Sequence, residues 1–245
     1  MKTLELARRL YDTYESVEQV KHYYGLLAIH ALCQVAEEGG ESIDRCRWIL
    51  SLFPDRIDHP KPDPPLYGYN FPSYYVGGIP AAYALMRGHM PEKREQIREY
   101  AEEMMSAPRD PDGIMKDPRR PDEDRIWIDV AMAVTPYLLF AGLAFGEERY
   151  IDEAVSQSIL MYDVFRNPEN GLLHQCRNFT GPGRITEDHW SRGNGWGFIA
   201  LTELVRFLPD DSPHREQVER YFVDHAKALL PHQSRQIGRA SCRER

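Results

Sequence analysis

Residues 126–144 read IWIDVAMAVTPYLLFAGLA, a segment in which Asp129 is the only charged side chain. A helix that is apolar on nearly every side is buried on every side. After a turn at Gly146, apolar residues recur with the period of a half-buried helix, at Ile151, Ala154, Val155, Tyr162 and Phe165. A fully buried helix followed by a half-buried one predicts a pair with an inner and an outer member.

The same alternation runs along most of the chain. Nearly continuous apolar segments cover residues 23–35, 74–86 and 196–207, whereas amphipathic segments cover residues 91–107 and the stretch after Pro213. Strand signals are nearly absent, and about nine helices are predicted in all. The pattern therefore predicts an all-α fold with two concentric layers, an inner ring of helices wrapped by an outer ring.

The composition excludes several classes of protein. The 245 residues are 42% hydrophobic, enough for a full-size core, and 38 Asp and Glu against 30 Lys and Arg give a formal net charge of −8. Nucleic acids and anionic membranes select basic faces, so neither is an expected partner. Because no apolar run could cross a bilayer and the N-terminus lacks a signal-peptide core, we expect a soluble, cytoplasmic protein.

The cysteines lie far apart in the sequence, at positions Cys33, Cys46, Cys176 and Cys242. They form no CxxC pair and no Cys/His cluster at zinc spacing. Phosphate-binding and dinucleotide-binding glycine motifs are also absent from the sequence. We therefore expect neither a metal site nor a bound cofactor.

The last nine residues, IGRASCRER at positions 237–245, have no hydrophobic period. They look like the in-frame translation of a sequencing adapter, although a genuine basic tail is the alternative. We expect residues 1–236 to form one helical domain and residues 237–245 to be a non-native tail. A chain truncated in this way would form an incomplete toroid, which explains a helix number that is awkward for a closed ring of hairpins.

The richest segment for chemistry is HWSRGNGW, from His189 to Trp196. Tryptophan faces stack on sugar rings, and the guanidinium of Arg192 can grip a carboxylate with two parallel hydrogen bonds. We expect Gly193 and Gly195 to allow close backbone approach just before a buried helix. The alternative is an arginine that merely stacks on core aromatics where the helix begins.

Two further side chains are candidates for chemistry. Asp129 is isolated in apolar surroundings, so either its pKa rises or a partner holds it, and such a carboxyl could transfer protons. Asp129 could equally cap its own helix. His174 ends the short apolar piece GLLH and could bind a substrate, or it could be an ordinary loop histidine.

Three long loops rich in Pro, Asp and Gly precede buried helices, at residues 54–72, 108–125 and 167–189. Long irregular loops in a compact domain are usually functional. The first of them runs into an aromatic-rich segment, Tyr67–Tyr75, which contains Asn70 and Tyr74. We expect the three loops to gather at one end of the helical ring and to form a site there.

The segments WIDVAMAV, ERYIDEAVSQ, GLLHQ and HWSRGNGW, taken in this order, resemble the unsaturated glucuronyl and galacturonyl hydrolases. This group includes the unsaturated rhamnogalacturonyl hydrolases and comprises glycoside hydrolase families 88 and 105. The resemblance implies an (α/α)6 barrel of six helical hairpins. It also implies a small oligosaccharide substrate that carries a 4,5-unsaturated uronic acid at its non-reducing end, as polysaccharide lyases leave it.

The resemblance also implies roles for individual residues. Asp129 matches the aspartate that protonates the enol-ether double bond and then activates water. His174 matches a substrate-binding histidine, and the set that contacts the sugar and its carboxylate is matched by Trp190, Arg192 and Trp196. These enzymes hydrate the double bond rather than displace the glycosidic oxygen, so the usual spacing rule for two carboxylates is a poor guide.

The chain departs from the family pattern at two places. A second aspartate common in the family is replaced by the segment Asn70–Tyr74, where we expect Asn70 and Tyr74 to contact substrate. A histidine often found before the catalytic aspartate is replaced by the region of Lys116. Either change could mark a different sugar preference or an inactive member.

Two other functions stay open at this stage. A toroidal sugar 2-epimerase would use a pair of histidines as acid and base and would act on saturated sugars. A non-catalytic carbohydrate-binding protein would bind the unsaturated sugar without turnover. The sequence leaves the oligomeric state open, as well as the identity of the sugar beyond the unsaturated unit.

Overall fold

A computed structural model describes residues 3–17, 23–40, 43–51, 53, 71, 76–117 and 122–233. Asn70, Tyr74 and the expected tail at 237–245 lie outside the described residues. The chain divides into two compact units. The first comprises Met1–Ser106 and Phe140–Ile151, and the second comprises Ala107–Leu139 and Asp152–Arg245.

The described residues form nine α-helices and two strands of two residues each, which confirms the all-α prediction. None of the helices in these described ranges is long and apolar enough to cross a membrane. In chain order the elements are α1 Thr3–Val17, α2 Tyr23–Glu38, α3 Asp44–Ser51, α4 Gly78–Met86, α5 Arg94–Met105, β1 Ile126–Trp127, α6 Asp129–Phe145, α7 Glu148–Phe165, β2 Cys176–Arg177, α8 Ser191–Phe207 and α9 Arg215–Leu229.

In the first unit, α4 packs against α2 and is buried from Gly78 to Leu85, as its apolar sequence predicts. The helix begins at Gly78, later than the apolar pattern suggests. Val76 and Gly77 have φ angles of 49° and 87°, and this left-handed backbone cannot continue a right-handed helix. A Cβ atom at Gly77 would lie 2.7 Å from the Leu50 side chain, so both the backbone angle and the space require glycine.

Polar contacts in the first unit join α4 to the end of α2. The carboxylate of Glu37 accepts hydrogen bonds from the Tyr83 hydroxyl, from Arg87 Nε at 3.1 Å and from His89 Nε2 at 2.8 Å. Burial of Glu37 opposes its ionisation, but the hydrogen bonds from Tyr83, His89 and Arg87 outweigh burial and lower its pKa. This cluster therefore stabilises the packing of α4 on α2 while Glu37 is ionised.

In the second unit, β1 and β2 pair antiparallel, with Ile126 opposite Arg177 and Trp127 opposite Cys176. The α6 residues of this unit are all buried, from Asp129 to Leu139, which confirms the inner-helix prediction for this segment. Helix α8 packs against α9. It begins at Ser191, so most of the HWSRGNGW segment is the first part of the helix and not a loop before it.

Candidate active site

Asp129 begins α6 directly after β1 and is 8% exposed. The backbone N–H of Ile128 donates to the Gln175 carbonyl at 3.1 Å, which fixes this start beside β2. Burial raises the pKa of Cys176 on β2 to about 12; the charge of Arg125 opposes this effect and the charge of Asp129 adds to it. The first turn of a helix favours a carboxylate because its N–H groups carry partial positive charge.

His174 is held through its backbone and through the residue before it. Its N–H donates to the Phe165 carbonyl at 2.8 Å. The Asn194 side chain accepts from Leu173 N at 2.8 Å and donates to Leu173 O at 2.9 Å. Asn194 Nδ2 also donates to Trp190 O at 3.0 Å. One buried amide therefore ties the loop that carries His174 to the first turn of α8.

Asn194 was missed by the sequence interpretation. It is 2% exposed, and a buried side-chain amide must have its donors and acceptor satisfied. An asparagine between two glycines at the start of an apolar helix is the signal that could have identified it. Its partners could not be read from the sequence, because they are backbone atoms of a loop 21 residues away.

Two glycines bring the elements of this site together. A Cβ atom at Gly193 would lie 2.6 Å from Ile128 Cγ2, and one at Gly197 would lie 2.3 Å from Leu173 Cδ1. A Cβ atom at Gly195 would meet no atom of the described residues within 4 Å. The expectation of close backbone approach is confirmed at Gly193 and is wrong at Gly195. The second close approach occurs at Gly197 instead.

The contact between Ile128 and Gly193 links the chain segments that carry Asp129 and Arg192. Ile128 precedes Asp129, and Gly193 follows Arg192. The guanidinium of Arg192 lies 4.1 Å above the centre of the Trp190 ring, and Arg192 is exposed. Stacking on an indole orients the guanidinium and leaves the edge of its plane for a carboxylate. The structure thus brings the acidic and the cationic candidate to one region of the second unit.

Trp196, Asn70 and Tyr74 are the remaining predicted site residues. Trp196 is 6% exposed in α8, so most of its ring packs in the interior, and its contact with a sugar stays a prediction. Asn70 and Tyr74 lie outside the described residues. Lys116, in the region expected to depart from the family pattern, donates to the Asp124 carboxylate at 2.7 Å, with its side chain 12% exposed. Its charge is therefore already engaged within the loop.

A second histidine accompanies His174. The rings of His174 and His189 lie 4.5 Å apart with an interplanar angle of 37°. Burial and the neighbouring His189 lower the pKa of His174, and they outweigh the opposite effects of the Thr186 backbone and Asp188. The neutral form of His174 is thus favoured. The sequence interpretation quoted His189 but gave it no role.

An aromatic pair with one exposed member lies beside the start of α6. The rings of Trp127 and Phe179 are 5.5 Å apart and nearly edge to face, and Phe179 is 54% exposed. Phe179 lies on a tight turn after β2, in which Asn178 has a φ of 66° and its Oδ1 accepts from Gly183 N at 2.7 Å. Exposed aromatic faces of this kind suit the apolar face of a sugar ring.

Comparison with known proteins identifies the family. Residues 73–239 match Glycosyl Hydrolase Family 88. Because this match covers more than half of the chain, the protein belongs to Glycosyl Hydrolase Family 88. The matched range contains every predicted site residue except Asn70, and the family resemblance inferred from the sequence is confirmed.

One curated relative is the unsaturated 3S-rhamnoglycuronyl hydrolase of Formosa agariphila. It is 28% identical to this chain over 112 residues. The aligned part covers 42% of this chain and 30% of that protein. The chain therefore matches less than a third of the length of this relative.

Two solved structures show the fold. A family 105 glycoside hydrolase from C. acetobutylicum has a TM-score of 0.74 and 18% identity, over 96% of this chain and 67% of that one. A family 88 glycosyl hydrolase from Bacteroides vulgatus has a TM-score of 0.63 and 16% identity, over 96% of this chain and 70% of that one. At these identities the likeness shows the fold alone, and it confirms the predicted (α/α)6 fold class.

Proposed function

We propose that this protein is a glycoside hydrolase that removes a 4,5-unsaturated uronic acid from the non-reducing end of oligosaccharides made by lyases. The observation that carries the proposal is the contact between Ile128 and Gly193, which brings the first turn of α6, with Asp129, against the first turn of α8, with Arg192. An acid and a guanidinium in one region suit a substrate that must be protonated and also carries a carboxylate.

The reaction begins with protonation of the double bond. The Asp129 carboxylic acid gives its proton to C4 of the unsaturated ring, and the positive charge at C5 is shared with the ring oxygen. A water molecule adds to C5 and returns a proton to the Asp129 carboxylate. The resulting hemiketal opens, and its collapse releases the glycosidic oxygen as the alcohol of the remaining sugar. One water is consumed, and Asp129 ends in its starting form.

Arg192 binds the carboxylate of the unsaturated sugar in this proposal. The net charge of −8 disfavours an anionic substrate only at long range, because charges beyond about 8 Å are screened at physiological salt. A guanidinium 4 Å from a carboxylate gains about 4 kcal/mol before desolvation, at an effective dielectric constant of 20. The local contact therefore outweighs the net charge.

The aromatic pair Trp127 and Phe179 would carry the next sugar ring. Trp127 is two residues before Asp129, so a ring on this surface adjoins the scissile bond. Backbone hydrogen bonds hold the turn that carries Phe179, since Asn178 N donates to Arg184 O at 2.8 Å. A platform fixed in this way would recognise sugars by shape and apolar face.

The decisive experiment follows the ultraviolet absorbance of the conjugated enol acid when protein is mixed with an unsaturated disaccharide. The unchanged chain should abolish this absorbance, and Asp129→Asn should stop the loss without changing helicity. The control Asp163→Asn alters an exposed aspartate on α7, and we expect it to leave the rate unchanged. A rate in Asp129→Asn equal to that of the unchanged chain would remove Asp129 from the acid role.

One observation favours the epimerase alternative, namely the neighbouring rings of His174 and His189. However, both ring nitrogens of His189 face hydrogen-bond partners within the protein, so this histidine has no nitrogen for a substrate. Activity on saturated free sugars would favour the epimerase. Tight binding of an unsaturated disaccharide without turnover would favour a carbohydrate-binding protein. A cytoplasmic location, inferred from the sequence, stays a prediction.

A further inference from the structure

Both ring nitrogens of His189 lie in hydrogen-bonding contacts whose donor and acceptor can be assigned. Its Nε2 lies 3.2 Å from the side-chain nitrogen of Asn167 and 3.2 Å from that of Asn170. Its Nδ1 lies 3.4 Å from the carbonyl oxygen of Leu173. A carbonyl oxygen can only accept, so Nδ1 carries the proton in this contact.

The orientation of the two amides is fixed by the backbone. Asn167 Oδ1 accepts from the N–H of Glu169 at 2.8 Å, and Asn170 Oδ1 accepts from the N–H of Leu172 at 2.9 Å. Each amide therefore turns its NH2 group toward His189. Two donors face Nε2, so Nε2 must accept, and a second proton on the ring would point at these donors. The neutral ring with its proton on Nδ1 satisfies all three contacts.

His189 in turn faces His174 across 4.5 Å. The Nδ1 atom of His174 is buried and has no hydrogen-bond partner among the described residues. A proton at that nitrogen would be an unsatisfied buried donor, which costs about 1–3 kcal/mol. Burial also lowers the pKa of His174, so the neutral form of its ring is favoured in this environment.

We propose that His189 is a positioning residue: its ring, oriented by Asn167, Asn170 and the Leu173 carbonyl, packs against the ring of His174 and holds that ring in place to contact the substrate. The contact between His174 and substrate rests on the proposed function. The orientation of the pair rests only on contacts within the protein.

Other titratable groups surround the pair. Asp188, in the same segment, favours the charged form of His174 but is outweighed by burial and by His189. His225 of α9 donates to Asn194 O at 3.1 Å, and burial lowers its pKa, so it adds no charge. Arg192 of α8 is stacked on Trp190 at the exposed end of the helix.

Asn167→Asp tests the proposal because it replaces one donor to Nε2 by an acceptor of nearly the same shape. One carboxylate oxygen can still accept from Glu169, while the other faces His189 and favours its charged form. Histidine titrations followed by NMR should show the His189 midpoint raised by about one pH unit or more relative to the unchanged chain. The His174 midpoint should fall, because a charged ring now faces it.

Asn178→Asp is the matched control. Asn178 also accepts a backbone N–H within a turn of the second unit, but its NH2 group donates to Asp124 O at 2.7 Å rather than to a histidine. Asn178→Asp adds the same charge, and we expect it to leave the titration midpoints of His174 and His189 unchanged. If Asn167→Asp does not fold, Asn170→Asp makes the same exchange at an exposed position.

Kinetics separate positioning from a merely structural effect. Asn167→Asp should raise KM for an unsaturated disaccharide with little change in kcat, because His189 turned toward the new carboxylate no longer holds the His174 ring in place. Midpoints that move no more than in Asn178→Asp would overturn the positioning role. The NMR measurement needs no substrate. If the protein without substitutions has no hydrolase activity, the proposed function is wrong, but the NMR result still tests the positioning role of His189.

Discussion

The Asn194 side chain hydrogen-bonds both the N–H and the carbonyl of Leu173, with Oδ1 2.8 Å from Leu173 N and Nδ2 2.9 Å from Leu173 O. The Asn194 amide thus satisfies the Leu173 backbone as the backbone of a neighbouring β-strand would. Because His174 follows Leu173 directly, the position of a candidate substrate-binding side chain depends on a residue in α8. The family motif around Arg192 therefore organises the loop as well as supplying the guanidinium.

Replacement of Asn194 should harm both stability and binding. Asn194→Ala leaves the buried N–H of Leu173 unsatisfied, so we expect urea unfolding to show a loss of about 1–3 kcal/mol. KM for an unsaturated disaccharide should rise because His174 is no longer fixed. Gln217→Ala, at a half-buried position of α9, is the control and should leave KM unchanged. A normal KM in a folded Asn194→Ala protein would contradict this account of the motif.

The three glycines of α8 should respond differently to alanine. Gly197→Ala places a Cβ atom 2.3 Å from Leu173 and should destabilise the protein by about 1–3 kcal/mol through overpacking. Gly195→Ala enters open space and should stabilise the helix by up to about 1 kcal/mol, since alanine is the better helix former. Thermal unfolding of the two variants checks the sign of each change. A lower melting temperature for Gly195→Ala would contradict the expectation that an alanine side chain fits beside α8 without a clash.

Phe179→Ala should separate binding from stability. Phe179 is 54% exposed, so its truncation should change the free energy of unfolding by less than about 0.5 kcal/mol. Loss of an aromatic surface should weaken binding of the second sugar by about 0.5–1.5 kcal/mol, read as a higher KM for an unsaturated disaccharide. Leu230→Ala removes another exposed apolar side chain, one that is 63% exposed, and is the control. Equal KM values in both variants would exclude Phe179 from the sugar platform.

The Glu37 cluster should make the stability of the first unit depend on pH. Its pKa in the folded protein is below the ordinary value of 4.5, so the stabilisation is present above that value and is lost as pH falls through the folded pKa. Tyr83→Phe removes one hydrogen bond to Glu37 and should cost about 1 kcal/mol at neutral pH. Unfolding titrations should show the difference between the two proteins shrinking in acid. A difference that is the same at every pH would mean that Tyr83 acts through packing alone.

The helical layers could be predicted because hydrophobic periodicity is a local property of the sequence. The α6 segment is apolar on all sides, and in the second unit it is buried on all sides. The start of α4 could not be placed from the same pattern. Val76 is an ordinary apolar residue in sequence, and only the structure gives it a left-handed φ of 49°.

Part of the candidate site could also be predicted. Asp129 and Arg192 stand out because charged residues are rare in apolar or aromatic surroundings, and the structure places their neighbours Ile128 and Gly193 in contact. His189 and Asn194 were missed, because the atoms that reveal their roles belong to residues 16–22 positions away. Side-chain contacts between residues so far apart produce no periodic pattern in the sequence.

The order of residues alone therefore determined the helical architecture, the family and the types of side chain at the site. These depend on burial patterns and on motifs that a chain carries in linear form. Tertiary structure decided which glycines allow close approach, which amide orders the loop, and in which form each histidine fits. These depend on distances and hydrogen-bond directions, which exist only after distant segments have packed.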